Sequence, residues 1–265
     1  MSDTTATDLL EELAKLFADA WTARTVIDSL PPILLTDRQS AYRVQDLMAR
    51  RIGQQVAGWK AGATSDGMRA RDGHDGVVPG RVFMADLHLG DDLRLEAGRF
   101  PNGRLEPEFA FRFLRGTGLR SNWTAQELAP IVAPHIAIEI IGSRMSASLP
   151  ASCRNTAMTI ADNGNGFALV IGPEIPSGTA YDPLSHSVDM RIDDSAPAAN
   201  SPPDIRAEPL EALADTVNLL ADRELALEAG QYITTGSATA TLPVVAGSTV
   251  NADFGALGRI RINFT

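Results

Sequence analysis

The hydrophobic period changes once along this chain, near residue 57, and that change limits the fold more than any other feature. Before it, Leu9, Leu10, Leu13, Leu16, Phe17, Ala20 and Trp21 recur at three and four, which predicts an amphipathic helix from about residue 8 to residue 23. After Pro31-Pro32, Asp37 is placed to cap a second helix carrying Ala41, Val44, Leu47, Met48 and Ile52 on one face. From Ala57 onward the apolar residues alternate in short stretches broken by Gly, Pro and Asp, the signature of strands. The chain therefore reads as α+β, with an N-terminal helical region at residues 1–56 and a strand-rich body at residues 57–265.

Two short helices are expected inside the body. Thr124 and Glu127 have capping-box spacing, and Pro209 starts a stretch with Leu210, Leu213, Val217 and Leu220 inward. Residues 64–81 are polar, with Gly67, Gly73, Gly76 and Gly80, and read as a glycine-hinged loop, either a lid or a plain surface loop. Residues 197–203 read as an exposed proline-rich loop.

With 44% hydrophobic residues in 265, the chain can bury a substantial core. A formal net charge of −10 argues against capture of a phosphate backbone, so no nucleic-acid partner is expected. Cys153 is the single cysteine, which rules out an intrachain disulfide and a Cys-based zinc site and fits a reducing compartment. The first residues lack the basic start and apolar run of a leader, and no stretch is long and apolar enough for a bilayer. A cytoplasmic protein without membrane contact is the resulting expectation. Lys15 and Lys60 are the only lysines, and Lys60 stands between Gly58-Trp59 and Ala61-Gly62.

Strand geometry in LEPEFAFRF sends Glu106 and Glu108 to one face and Leu105, Phe109, Phe111 and Phe113 to the other. Glu139 stands in a second, apolar strand, among Ile136, Ile138 and Ile140. Carboxylates so placed need a proton, a cation or water. Three of them with no thiol and no paired histidine make an all-oxygen donor set suited to Mg2+ or Mn2+. The alternative is a buried ion pair, for instance of a glutamate with Arg112 or Arg144.

Together the stretches AYRVQDLM, GWKAGAT, LEPEFAF, HIAIEII, IADNGNG, QYITTGS and VNADFGALGRIRINF resemble the 2-keto-4-pentenoate hydratase and 2-oxo-3-hexenedioate decarboxylase family, within the fumarylacetoacetate hydrolase superfamily. The resemblance covers most of the chain after the first helix. It implies a helical N-terminal region packed on a rolled mixed β-sheet body and a divalent ion, Mg2+ or Mn2+, on Glu106, Glu108 and Glu139. The family lysine matches Lys60, its Asp-Asn turn matches Asp162-Asn163, and its Thr-Gly-Ser matches Thr235-Gly236-Ser237. Lys60, Asn163 and Ser237 are then the expected substrate contacts, with Lys60, Glu106 and Glu108 in the chemistry. The implied ligand is a small 2-oxo acid, and the implied assembly a homo-oligomer, with a complex with a related pathway enzyme as a further implication.

The implied reaction, as in aromatic meta-cleavage catabolism, is addition of water to a 2-hydroxydienoate to give a 4-hydroxy-2-oxo acid. The alternatives are decarboxylation of a related 2-oxo-enedioate or a non-catalytic partner of such an enzyme. Hydratases of this type often carry an acidic residue before a proline after the lysine, where this chain has Val77-Val78-Pro79. That departure predicts an apolar distal pocket and an uncharged substrate tail. Asp162 to Gly166 lacks the ligands of a calcium loop, Gly164-Asn165-Gly166 lacks the third glycine of a dinucleotide fingerprint, and Gly236-Ser237 is not a nucleophile elbow. His74, His88, His135 and His186 are scattered and read as satisfied or solvated, with His135 on the Glu139 face.

Overall fold

A computed structural model describes residues 6–265. Residues 1–5, the start of the segment read as lacking a leader, lie outside the described residues. Two helices come first, α1 (Ala6–Ala23) and α2 (Arg38–Ile52), the second capped by the Asp37 carboxylate accepting from Ser40 N–H and closed by Gly53 in the left-handed region. The body follows as β1 (Val56–Gly62), α3 (Asp66–Asp72), β2 (Val78–Phe83), β3 (Leu87–Leu89), β4 (Asp92–Leu95), β5 (Arg104–Phe113), α4 (Ala125–Leu128), β6 (Val132–Ile141), α5 (Thr156–Ala161) and β7 (Gly166–Glu174). The remainder is β8 (Asp189–Ile192), α6 (Pro209–Asp222), β9 (Tyr232–Ser237), β10 (Leu242–Pro243), β11 (Thr249–Asp253) and β12 (Arg259–Phe264). Among the described residues no helix is long and apolar enough to cross a membrane.

Eight strands form one mixed, rolled sheet in the order β2-β1-β9-β5-β6-β7-β3, with β10 also pairing β5. Four more form a second sheet, β4-β12-β11-β8. The odd-numbered face of β5 is covered in two parts. Leu105 and Phe109 pack with Ile136, Ile138 and the apolar face of β11 and β12, whereas Phe111 and Phe113 pack with Leu128 of α4 and Leu213, Val217 and Leu220 of α6. The even face, with Glu106 and Glu108, is thereby turned to the inside of the roll. On the far side α1 and α2 share a core with Met158 and Ile160 of α5 and with Val78 and Phe83 of β2, so the helical layer braces the strand next to Lys60.

The stretch expected to be a glycine-hinged loop is ordered structure instead. Ser65 accepts from Met68 N–H to cap α3, and β2 follows, pairing antiparallel with β1 and placing Gly80 opposite Lys60. Two of the supposed hinges are contact points. A Cβ on Gly67 would collide with the backbone of Asp204, and one on Gly80 with the carbonyl of Asn163. Gly80→Ala is expected to cost about 1–3 kcal/mol of stability, the usual penalty of overpacking, read by denaturant unfolding. An unchanged midpoint would contradict this close approach.

Candidate metal centre

Register brings the three glutamates together. Glu106 on β5 lies directly opposite Glu139 on β6, and Glu108 follows two residues along the same face. One carboxylate oxygen from each lies within 4.8 Å of the others. Glu108 and Glu139 are each 1% exposed. The Gly236 N–H donates to Glu108 Oε2 at 2.8 Å, and Gly236 has φ +114, so a positive-φ residue aims that donor. Thr234 Oγ1 donates to Glu139 Oε2 at 3.3 Å, while Glu139 Oε1 is buried with no hydrogen-bond partner among the described residues.

The cation beside this cluster is Lys60, whose Nζ is 3.4 Å from Glu139 Oε1. The arginine pairings proposed as the alternative do not occur: Arg112 pairs with Glu174, and Arg144 with Asp162 in a fully buried pair. Glycines make room for the lysine stem. A Cβ on Gly164 would lie 3.0 Å from Lys60 Cε, one on Gly80 3.1 Å from its Cγ and one on Gly166 3.3 Å from its Cγ. The Gly164-Asn165-Gly166 pattern is thus accounted for by close approach to a lysine.

Burial is the first cause of the carboxylates' unusual acidity. It pushes Glu106 up to about 7, helped by the charge of Glu139 and opposed by Lys60 and Arg71. Glu108 is raised well above the ordinary range by burial, then by Glu139 and Glu106, with the Gly236 hydrogen bond opposing. These protons are held by the folded, metal-free state, whose stability is therefore lost as pH rises from the ordinary carboxylate range to about 7. A cation must displace them. Apparent magnesium affinity is expected to fall about tenfold or more for each pH unit below 7, as measured by calorimetric titration. A flat profile between about pH 5 and 7 would contradict the site.

The cluster opens into a cavity of about 650 Å³. Lys60, Glu106, Glu108 and Ser237 line it; Ser237 Oγ donates to Thr239 O at 2.9 Å. The Asn163 side chain is turned away from the cavity lining. Its side-chain amide is spent on the backbone of Arg81, accepting from N–H at 2.7 Å and donating to O at 2.8 Å, while the next residue but one, Asn165, lines the cavity with its Oδ1 buried and unpartnered. Asp162 likewise anchors the turn, accepting from Arg144 and Ser143.

Several lining residues were not foreseen. Arg71, Asp72 and Met68 come from α3, and His74, read as satisfied or solvated, also faces the cavity while its Nδ1 lies 2.9 Å from Thr156 Oγ1. Burial lowers its pKa. Residues 199–202, expected to be an exposed loop, form another wall, where the Asn200–Thr239 bridge holds them. Of the two valines expected to make the distal pocket apolar, Val78 lines the cavity, whereas Val77 packs with Trp59 and Phe111 in a separate core, and Arg71 adds a cation to the wall. His135 is bound to Gly172 O and stays outside.

No family model matches the chain. Its curated relatives are more informative: a 4-oxalocrotonate decarboxylase from Pseudomonas sp is 30% identical over 237 residues, covering 87% of this chain and 88% of that protein. The chain belongs to the hydratase and decarboxylase family its motifs resemble. A second family relative, the 2-oxo-hept-4-ene-1,7-dioate hydratase of Escherichia coli, is 27% identical over 250 residues, 91% of each chain. Among solved structures, the 4-oxalocrotonate decarboxylase from Pseudomonas putida G7 complexed with magnesium and adipate superposes with a TM-score of 0.80 at 20% identity, covering 99% of both chains. A fumarylpyruvate hydrolase from Pseudomonas aeruginosa in complex with Mn2+ and pyruvate gives a TM-score of 0.54 at 16% identity, covering 78% of this chain and 88% of that one. The fold is therefore one that the chain shares with these solved enzymes.

Proposed function

We propose that this protein is a divalent-metal-dependent lyase of an unsaturated 2-oxo acid with a second carboxylate, with release of carbon dioxide as its reaction. The observation that carries this reading is the convergence of three carboxylate oxygens within 4.8 Å beside Lys60, at the base of a cavity large enough for a six- or seven-carbon acid. Magnesium or manganese fits these residues: the donor set is all oxygen, and among the described residues Glu139 Oε1 is buried without a hydrogen bond, with Lys60 as its ion-pair neighbour. Glu106, Glu108 and Glu139 would hold the ion. When bound, it stabilises negative charge on the 2-oxo oxygen, the electron sink that the reaction needs.

The chain's own groups do the rest. In a conjugated 2-oxo-enedioate the bond to the remote carboxylate breaks and its electron pair passes along the chain to the 2-oxo oxygen. Lys60 is placed to neutralise the nearer carboxylate or to pass a proton, and Ser237 and Asn165 offer polar contacts. Met68, Val78 and Ile205 give the cavity apolar surface, and a substrate seated against it would be partly desolvated, which favours loss of a charged carboxylate as neutral carbon dioxide. The diacid is supported by the names of both relatives, by the adipate in the magnesium-bound structure, and by Arg71 in the wall.

Water addition to a 2-hydroxydienoate is the second reading, supported by the Escherichia coli hydratase. Both reactions use the same enolate. The deciding experiment supplies magnesium and 2-oxo-3-hexenedioate, then 2-hydroxypentadienoate, and follows carbon dioxide and the 4-hydroxy-2-oxo acid separately. Carbon dioxide is expected; hydrated product without it would put the second reading first. Neither product, with metal binding intact, would make the chain a non-catalytic partner. A homo-oligomer, alone or with a related pathway enzyme, belongs to the same proposal and is read from solution mass.

A further inference from the structure

Several arginines gather beside α2 on a chain whose net charge is −10. Beside α2, a groove of about 660 Å³ is lined by Arg38, Arg43, Arg50 and Arg223, with Tyr42 and Leu10 as its apolar contacts. Arg81 lies beneath it, paired with Asp46, which also pairs with Arg223 at 3.0 Å; Arg38 pairs with Asp75 at 2.7 Å. Three of the five guanidiniums thus pair with two carboxylates. Arg43 and Arg50 have no ion-pair partner among the described residues.

Arg81 and Arg223 are not merely splayed into water. The Arg223 guanidinium lies 4.0 Å over the Tyr42 ring and 5.9 Å from that of Trp59, while Arg81 lies 4.6 Å over Trp59. Gln45 Oε1 accepts from both Arg81 and Arg223 at 3.2 Å. Arg223 is pushed down to about 10, by burial first, with Asp46 opposing and Arg81 adding to the shift. Arg43 and Arg50 stand exposed on α2, and beside them the rings and the amide fix the forks of Arg81 and Arg223. Guanidiniums fixed in this way suit an oxyanion, which can take several of their donors at once.

We propose that this groove is a second binding site, for a small oxyanion of two or more negative charges such as phosphate, held by Arg43, Arg50 and Arg223. Its floor continues into the wall of the metal centre. Gln45 Nε2 donates to Pro79 O at 2.8 Å and Arg38 Nη1 to Val77 O at 2.8 Å, so the backbone from 77 to 81 is gripped from the groove. Gly80 in that segment is packed against the Lys60 stem. An anion that steadies the groove steadies the seat of the lysine, and by linkage whatever occupies the cavity affects the anion in return.

The test is calorimetric titration of the full-length protein with inorganic phosphate at low ionic strength, after the protein has been stripped of metal and dialysed free of chelator so that no metal-held phosphate contributes. Wild type is compared with the Arg43→Gln/Arg50→Gln double variant, whose fold is checked by circular dichroism and whose mass is checked by light scattering. Saturable binding of one phosphate per chain, weakened about tenfold or more for each guanidinium removed, is expected. Monovalent acetate should not compete. Equal binding by both proteins, or no saturation in wild type, overturns the site. So does a change of oligomeric mass in the variant without phosphate binding by wild type, which would make the groove an interface between copies of the chain. If the double variant does not fold, Arg43→Gln alone, at an exposed position, gives the same reading.

Discussion

Glu108→Gln is expected to move two quantities in opposite directions: the metal-free protein becomes more stable, and binding of magnesium or manganese is lost. In the metal-free chain Glu108 is buried beside Glu106 and Glu139, and its ionisation is opposed by burial first and by those charges second. Folding therefore favours the protonated form, and stability is lost as pH rises above the ordinary carboxylate range. Glutamine keeps the shape and can still accept from the Gly236 N–H, but carries no charge to oppose. At pH 8 the metal-free variant should melt higher than wild type, by about 2–4 °C for each kcal/mol relieved in a chain of this size. The same change removes a charged oxygen donor, so affinity for the ion should fall by about a hundredfold or more, and the melting rise that magnesium gives wild type should vanish. Unchanged magnesium affinity would remove Glu108 from the site. A lower melting temperature in the metal-free variant would show that the carboxylates do not repel as described.

Lys60→Met should separate turnover from metal binding in a different way. The ammonium stands 3.4 Å from Glu139 Oε1, where its charge competes with a cation for the same carboxylate. Methionine fits the stem's channel between Gly80, Gly164 and Gly166 and removes only the charge and the proton. Metal affinity should hold or tighten, whereas turnover should fall by about 10²–10⁴, the range for a lost acid-base group. Lys60→Arg retains the charge but not the shape. The stem already runs so close to Gly80, Gly164 and Gly166 that a Cβ on any of them would lie within 3.3 Å of it, which leaves the longer side chain and planar guanidinium little room to adjust, so this variant should lose turnover as well. Wild-type turnover in Lys60→Met would reduce the lysine to a counter-ion for Glu139. Loss of metal binding in the same variant would mean that it organises the carboxylates instead.

Local periodicity was the most legible part of the sequence. The caps at Asp37 and Thr124, the inward face of α6, and the shared face of Glu106 and Glu108 all follow from backbone repeats that hold within one element. The segment at residues 64–81 was misread because glycine has two uses that look alike in sequence. It frees the backbone, and it also lets two segments touch; Gly67 and Gly80 serve the second use. The orientation of Asn163 was illegible for a similar reason. An Asp-Asn turn offers polar side chains, but whether they face a cavity or the backbone of Arg81 depends on a strand that is 82 residues away in sequence.

What the sequence determined by itself was the α+β division, the paired face of Glu106 and Glu108, the singular position of Lys60 and, through its motifs, the family. What only the tertiary structure decided was the register that sets Glu139 against Glu106, the choice of Lys60 over Arg112 or Arg144 as the neighbouring cation, and the walls contributed by α3 and residues 199–202. The groove of arginines beside α2 was equally hidden, since Arg81 and Arg223 reach Asp46 from distant segments. The physical reason is that a side chain's face follows from the geometry of its own strand or helix. Its partner is set by how distant segments close on one another, and no local repeat encodes that closure.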